Sequence, residues 1–298
     1  MTSMISYISI AIYNKLPLGK NKECLRNLFY KFTPMYDLSR ITRKVDIQNG
    51  LLFIELDDGT KFYGEQDKII SKGSILTKID KFKDLIKFEG VLNLICYQYI
   101  KFQYVKYYHL KEGDIVVDAG AQIGTFTVKA AQTVGDKGKV IALEPEVQNL
   151  MLLRKNIEAN GLRNVVIIPK GVWSLKSKLN LNVSSNQTGH SLYRGKCYGT
   201  DSTSTTEEIE VDNIDNILKQ LGIKRVNFIK MDIEGAEIEA LKGMTETIKN
   251  NNVKLAIEAV HIINGEETYK VIIPQLIAKG FVIRRERDIV YARRKDRK

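Results

Sequence analysis

Apolar and polar positions change rhythm along this chain. Short apolar runs at Ile115 to Val117, Lys139 to Leu143, Asn164 to Ile168, Val226 to Glu234 and Lys254 to Ala259 are bounded by turn residues. Runs of that length read as buried strands. Between them apolar residues return every three or four positions, as in Leu150, Leu153, Ile157 and Leu162, which is helical spacing. Further helices are expected from Thr125 onward and over Asp212 to Leu221, closed by Gly222. Strand alternating with helix predicts an α/β fold with a mostly parallel sheet covered on both faces. A short strand at Glu208 to Val211 and a closing hairpin from Phe281, turning at Glu286 to Asp288, complete the pattern.

Residues 1–110 follow other rhythms and read as an accessory region ahead of a core domain at 111–293 and a basic tail at 294–298. Lys22 to Tyr36 suits a short helix closed by Pro34, and Val45 to Tyr63 suits a hairpin carrying turn signals at Asn49-Gly50 and Asp57-Asp58-Gly59. From Ile75 to His109 the spacing is helical, with Tyr97, Tyr99, Tyr104, Tyr107 and Tyr108 concentrated at its end. A helix packing this aromatic side onto the sheet is the simplest account, with a stacking platform as the alternative. Ser184 to Glu208 is the longest polar stretch, placed where a substrate cover would hang.

The chemistry gathers at strand ends. Asp114 to Thr127 reads D-I-V-V-D-A-G-A-Q-I-G-T-F-T: a strand, an acid, two glycines four residues apart, and a helix start. Gly120 and Gly124 allow backbone angles closed to other residues, and the helix start points free N–H groups at the same place. A dinucleotide fingerprint would need glycine where Gln122 and Thr125 stand, and a P-loop would need Gly-Lys-Ser/Thr. The turn therefore suits a nucleoside ligand without phosphates, and the Asp118 carboxylate suits one bearing an ammonium group. Both properties describe S-adenosylmethionine; a capping role for Asp118 is the alternative. About 20 residues beyond the turn, Glu144 of Glu144-Pro145-Glu146 ends the next strand, where such folds place an acid on ribose hydroxyls, or where it caps a helix. Lys230, Asp232 and Glu234 share one side of a later strand, Glu258 stands near the end of the last parallel one, and His261 follows it.

Four blocks in order, Asp118 to Gly124, Glu144 to Glu146 with Asn149, Asn156 and Asn160, Lys230 to Glu237 and Ile257 to His261, resemble the FkbM family of S-adenosylmethionine-dependent methyltransferases over roughly residues 112 to 292. Gln122 departs from the asparagine usual there. The resemblance implies a Rossmann-like class I methyltransferase fold: seven strands, mostly parallel, with an antiparallel strand near the C-terminus. It implies cofactor contacts at Asp118, Gly120, Ala121, Gln122, Gly124, Glu144, Pro145 and Asp232, with adenine against Lys170, Gly171 and Val172. Asp232, Glu258 and His261 are the candidate catalytic residues for an oxygen acceptor, because Asp232-Ile233-Glu234-Gly235 lacks the prolines of amine-methylating enzymes. The same three side chains are of metal-binding type, but a divalent metal is not expected.

Composition narrows the setting. The 298 residues carry a formal net charge of +11, which favours an anionic partner without naming it. A small-molecule or carbohydrate acceptor is expected; nucleic acid is the alternative, though no recognised RNA-binding module accompanies the charge. Cys24, Cys96 and Cys197 have no paired spacing, which suits a reduced, cytoplasmic setting. Met4 to Tyr13 is apolar but too short to span a bilayer.

Overall fold

The computed structural model describes residues 41–65, 89–183, 190–192, 205–250 and 252–294. The helix expected at 22–36, the apolar stretch at 4–13, residues 75–88 of the expected long helix, most of the polar stretch after 183, Cys24, Cys197 and tail residues 295–298 lie outside them.

Five parallel strands form the centre: β4 (Ile115–Ala119), β5 (Lys139–Leu143), β6 (Val165–Ile168), β10 (Phe228–Met231) and β11 (Lys254–Glu258). Val116 and Val117 are both buried although they face opposite sides, the mark of a strand covered on both faces. On one face Val116, Val140 and Phe228 meet Phe126 and Ala130 of α2 (Thr125–Val134). On the other, Val117, Ile141 and Ile229 meet α4 (Ile214–Gln220), α5 (Glu237–Lys242), α6 (Thr245–Asn250) and α7 (Tyr269–Ala278). The sheet order is β14-β15-β11-β10-β4-β5-β6, where β14 is Phe281–Glu286 and β15 is Ile289–Arg294. Strand β15 runs antiparallel to both neighbours. These are the seven mostly parallel strands expected, with the reversed strand near the C-terminus. Chain order reverses between β4 and β10, so a crevice opens at their carboxyl ends.

Several elements differ from the sequence reading. The hairpin at 45–63 is a three-stranded antiparallel sheet, β1 (Thr42–Gln48), β2 (Leu51–Leu56) and β3 (Lys61–Gly64), because both turn signals are used. The polar stretch is shorter than expected: β8 (Ser177–Val183) pairs antiparallel with β9 (Thr205–Asp212), and β9 also pairs with β7 (Gly171–Val172). Leu179, Leu181 and Val183 alternate with polar residues, a period-2 signal carried by only three apolar side chains. A small ribbon of β12 (Ile262–Ile263) and β13 (Glu266–Glu267) follows the last parallel strand.

The tyrosine-rich segment is not one helix. Helix α1 (Glu89–Leu94) widens into a π-turn at Ile95–Ile100, and Phe102 then takes a left-handed conformation (φ 45°) that ends it. Tyr104 sits in a 3₁₀ turn at Gln103–Val105, edge-on to Phe126, while Tyr108 stacks on Phe228. The accessory sheet is held by α3 (Val147–Ala159), which precedes Asn160. Asn156 and Asn160 bond the backbone N–H and C=O of Tyr63 and Lys61 at 2.7–3.0 Å, standing in for a neighbouring strand. Asn156 also donates to the Ile123 carbonyl at 2.8 Å, which ties that sheet to the glycine turn. Among the described residues no helix is long and apolar enough to cross a membrane.

Candidate active site

A cleft of roughly 570 Å³, counted to its open mouth, lies at the strand ends. Gly120, Gln122, Glu144, Pro145, Lys170, Gly171, Val172 and Asp232 line it, joined by Asn149, His190 and Glu234. Gln122 takes a left-handed backbone (φ 51°), a conformation that asparagine adopts more readily than glutamine. Its amide donates to Glu144 Oε2 at 2.8 Å, and the Glu146 amide donates to Oε1 at 3.1 Å. Burial pushes Glu144 up to about 7, although these two amides and Asn149 oppose the shift. Glu144 is buried, with Oε1 accepting from Glu146 and Asn149 and Oε2 from Gln122, so Oε2 keeps a lone pair for a ribose hydroxyl. Gly120 lines the cleft, and the space its missing Cβ leaves lets the Asp232 backbone pack against the turn.

Asp118, Ala121 and Gly124, expected as cofactor contacts, do not line the cleft. Gly124 packs under Leu153 of α3, where a Cβ would sit 2.5 Å from the leucine Cδ1. Asp118 is wholly buried, and its charge is already matched. Lys230, opposite it in the β4–β10 register, places Nζ 3.2 Å from Oδ1, and the Thr127 hydroxyl donates to Oδ2. Lys230 also donates to the Gly120 carbonyl at 2.6 Å. Burial alone would lower the lysine, but Asp118 and Asp232 more than reverse this and keep it charged. The acid and lysine thus form a foundation beneath the glycine turn. Sequence reasoning gave Lys230 no role; its signal was a lysine inside a buried strand, a place lysine almost never occupies unpaired.

The strand expected to reach Glu234 stops at Met231, and Glu234 turns through a left-handed φ of 52°. Asp232 remains at the cleft wall, 8% exposed. Its Oδ2 lies 3.0 Å from the Tyr104 hydroxyl, which lies 2.7 Å from Glu258 Oε2. Burial, with the Asp232 charge adding to it, pushes Glu258 up to about 8. Tyr104 was not expected here, and only the tyrosine content of its segment hinted at it.

After Glu258 the chain turns, as the opposite parity of Glu258 and His261 required, and Asp232, Glu258 and His261 place ligand-type atoms within 4.8 Å of one another. His261 nevertheless has Nε2 3.2 Å from Glu234 Oε2 and Nδ1 3.1 Å from Glu237 Oε1. Burial opposes its charge, but the two glutamates push it up to about 12. Held as an imidazolium between two acids, it offers no lone pair to a proton or a metal. Neither His261, expected as general base, nor Glu258 lines the cleft.

Comparison with known proteins places this geometry. The family described as "Methyltransferase FkbM domain" matches residues 118–283, more than half the chain. The chain belongs to the FkbM family of S-adenosylmethionine-dependent methyltransferases. Methyltransferase sdnD of Sordaria araneosa is 28% identical over 164 residues, 46% of this chain and 63% of that protein, so the alignment spans less than two thirds of the relative. A protein of Saccharolobus solfataricus named as a probable cobalt-precorrin-6B C(15)-methyltransferase is 25% identical over 53% of this chain and 81% of its own length. The hexuronic acid methyltransferase AglP of Haloferax volcanii is 26% identical over 62% of this chain and 73% of its own. In this FkbM chain the family match begins at Asp118, so the segments carrying Gln98 and Tyr104 lie ahead of it. Gln98 nevertheless accepts from Thr125 at 2.7 Å and reaches Gln122 at 3.4 Å, bracing the cleft floor from outside the family domain.

Proposed function

We propose that this protein transfers the methyl group of S-adenosylmethionine to a hydroxyl oxygen of a sugar, glycolipid or secondary metabolite. One observation carries the reading: Asp232 stands at the cleft wall at the end of β10, followed by a tight glutamate–glycine turn without proline. The cofactor supplies an activated methyl on a sulfonium, so the protein needs to align the acceptor, exclude water and receive one proton. Glu144 accepts from the ribose hydroxyls, and Lys170, Gly171 and Val172 form the wall for adenine. The Asp118–Lys230 pair fixes the turn beneath the methionine end. Asp232 takes the acceptor's proton as the carbon–sulfur bond breaks and the carbon–oxygen bond forms. The name of the Haloferax relative supports a sugar acceptor, and the positive charge favours one that is anionic.

Two predictions follow from these roles. Affinity for S-adenosylhomocysteine, read by calorimetry, weakens as pH falls below about 7, because a protonated Glu144 accepts fewer hydrogen bonds. The limiting slope is roughly tenfold per pH unit. Glu144→Gln binds tenfold or more weakly, about 1.4 kcal/mol, and its affinity is flat across that range. A wild-type affinity independent of pH between 5 and 8 would remove Glu144 from the site, on a window of roughly two units below and one above its titration. Asp232→Asn keeps the cofactor but lowers release of S-adenosylhomocysteine at least a hundredfold, the order typical of a lost general base. The assay incubates protein and methyl-labelled cofactor with a polar metabolite and glycolipid extract. The carbon shift of the transferred methyl separates an oxygen acceptor from carbon, the chemistry in the Saccharolobus relative's name. Label entering carbon, or RNA in a parallel incubation, rejects the reading.

A further inference from the structure

We propose that Tyr104, contributed from outside the family domain, is a positioning residue for methyl transfer: its hydroxyl bridges Glu258 to Asp232 and leaves the free oxygen of Asp232 facing the acceptor. The inference rests on the reading of Asp232 as base. The phenol is 1% exposed and cannot touch the acceptor itself, so it acts through the aspartate.

The geometry requires a shared proton. One phenolic hydrogen cannot serve two carboxylates, yet the oxygen lies 3.0 Å from Asp232 and 2.7 Å from Glu258. Both contacts are favourable only when one of the two carboxyls carries a proton and donates it to the phenol oxygen while Tyr104 donates to the other, and the burial that pushes Glu258 up makes it the protonated one. Glu258 titrating at about 8 agrees with that direction. The order Glu258 to Tyr104 to Asp232 engages Oδ2, leaves Oδ1 as the aspartate's free acceptor, and fixes the carboxylate plane. Without it the two acids would face each other with no hydrogen bond between them.

Tyr104 is held for this task. The left-handed Phe102 turns the chain off its helix, and the ring packs edge-on to Phe126 at 5.8 Å with the Lys230 ammonium 5.4 Å from its centroid. The charged and titratable groups facing the pair are Lys230 and Asp118 from below, and Glu234 and the His261 imidazolium from the far side. The cation at His261 is consumed by Glu234 and Glu237, so Tyr104 is the group that mediates between Asp232 and Glu258.

The test follows ¹³C-carboxyl glutamate shifts against pH in full-length protein with S-adenosylhomocysteine bound, Glu258 being the signal missing from Glu258→Gln. Glu258 is expected to remain protonated at neutral pH and titrate near 8, and to titrate higher in Tyr104→Phe, which keeps the ring packing and loses the hydroxyl. The rate of S-adenosylhomocysteine release with the metabolite and glycolipid extract falls tenfold or more in Tyr104→Phe, while calorimetric affinity for S-adenosylhomocysteine is unchanged. Glu258→Gln, whose amide still donates to the phenol, loses the alkaline break in the pH profile. A Glu258 that titrates identically with and without the hydroxyl overturns the proposal, whether or not turnover is detected. Should Asp232→Asn be inactive while Tyr104→Phe matches wild type, only this inference fails; an active Asp232→Asn removes the reading beneath it.

Discussion

Lys230→Met lowers folding stability by about 3–5 kcal/mol, read as a drop in the urea midpoint with an unchanged slope. The size follows from what the lysine leaves behind. Asp118 and Lys230 are both fully buried and 3.2 Å apart, in register on adjacent strands at the middle of the sheet. Removing the ammonium leaves Asp118 with the Thr127 hydroxyl as its hydrogen-bond donor, far less than an ionised carboxylate requires away from water. The Gly120 carbonyl loses its donor at the same time. The double variant Asp118→Asn/Lys230→Met therefore loses less than the sum of the two single variants, since it leaves no buried charge unpaired. Affinity for S-adenosylhomocysteine falls in Lys230→Met as well, because the turn that carries the cleft floor has lost its support. A loss below about 1 kcal/mol would place the pair among weak exposed ion pairs and reject the foundation role.

What the sequence revealed and what it concealed divide along the same strands. Ile115 to Val117 and Lys254 to Ala259 were legible because a strand covered on both faces carries an almost continuous apolar run. Glu144 and Asp232 were legible because strand ends in an open α/β sheet face one crevice. The partner of Asp118 was not, since its neighbour is set by which distant strand pairs with β4, and periodicity carries no information about that pairing. Period 2 correctly put Lys230 and Asp232 on one side but overran the strand, because the left-handed turn at Glu234 leaves no apolar signature. Parity showed that Glu258 and His261 needed a turn between them. It could not show that the turn would deliver His261 to Glu234 and Glu237 and fix it as a cation. Tyr104 was hidden by Phe102, whose backbone ends a helix that the spacing of Leu92, Ile95 and Tyr99 would have continued.

Gly120→Ala abolishes cofactor binding and costs more stability than any other single methyl added to a glycine turn here. Gly120 has φ +77°, and a Cβ built on it would lie 1.9 Å from the Asp232 carbonyl oxygen and 2.9 Å from its carbon. The obstacle is backbone, not the end of a flexible side chain. It cannot retreat freely, because the Asp232 amide donates to the Ala119 carbonyl at 3.1 Å and the same residue presents the carboxylate at the cleft wall. Gly113 supplies the control: its φ is +84° and nothing lies within 4 Å of a built Cβ. Gly113→Ala thus measures the left-handed penalty alone, about 1 kcal/mol. The excess in Gly120→Ala, of order 2–4 kcal/mol, reports the collision, and with it the closeness of the two strand ends that form the site. Equal losses in the two variants, measured by urea denaturation, would mean that β4 and β10 part easily at their carboxyl ends. The acid of one strand could then no longer be fixed against the glycine turn of the other, and the assignment of Asp232 to the same cleft as Glu144 would fall with it.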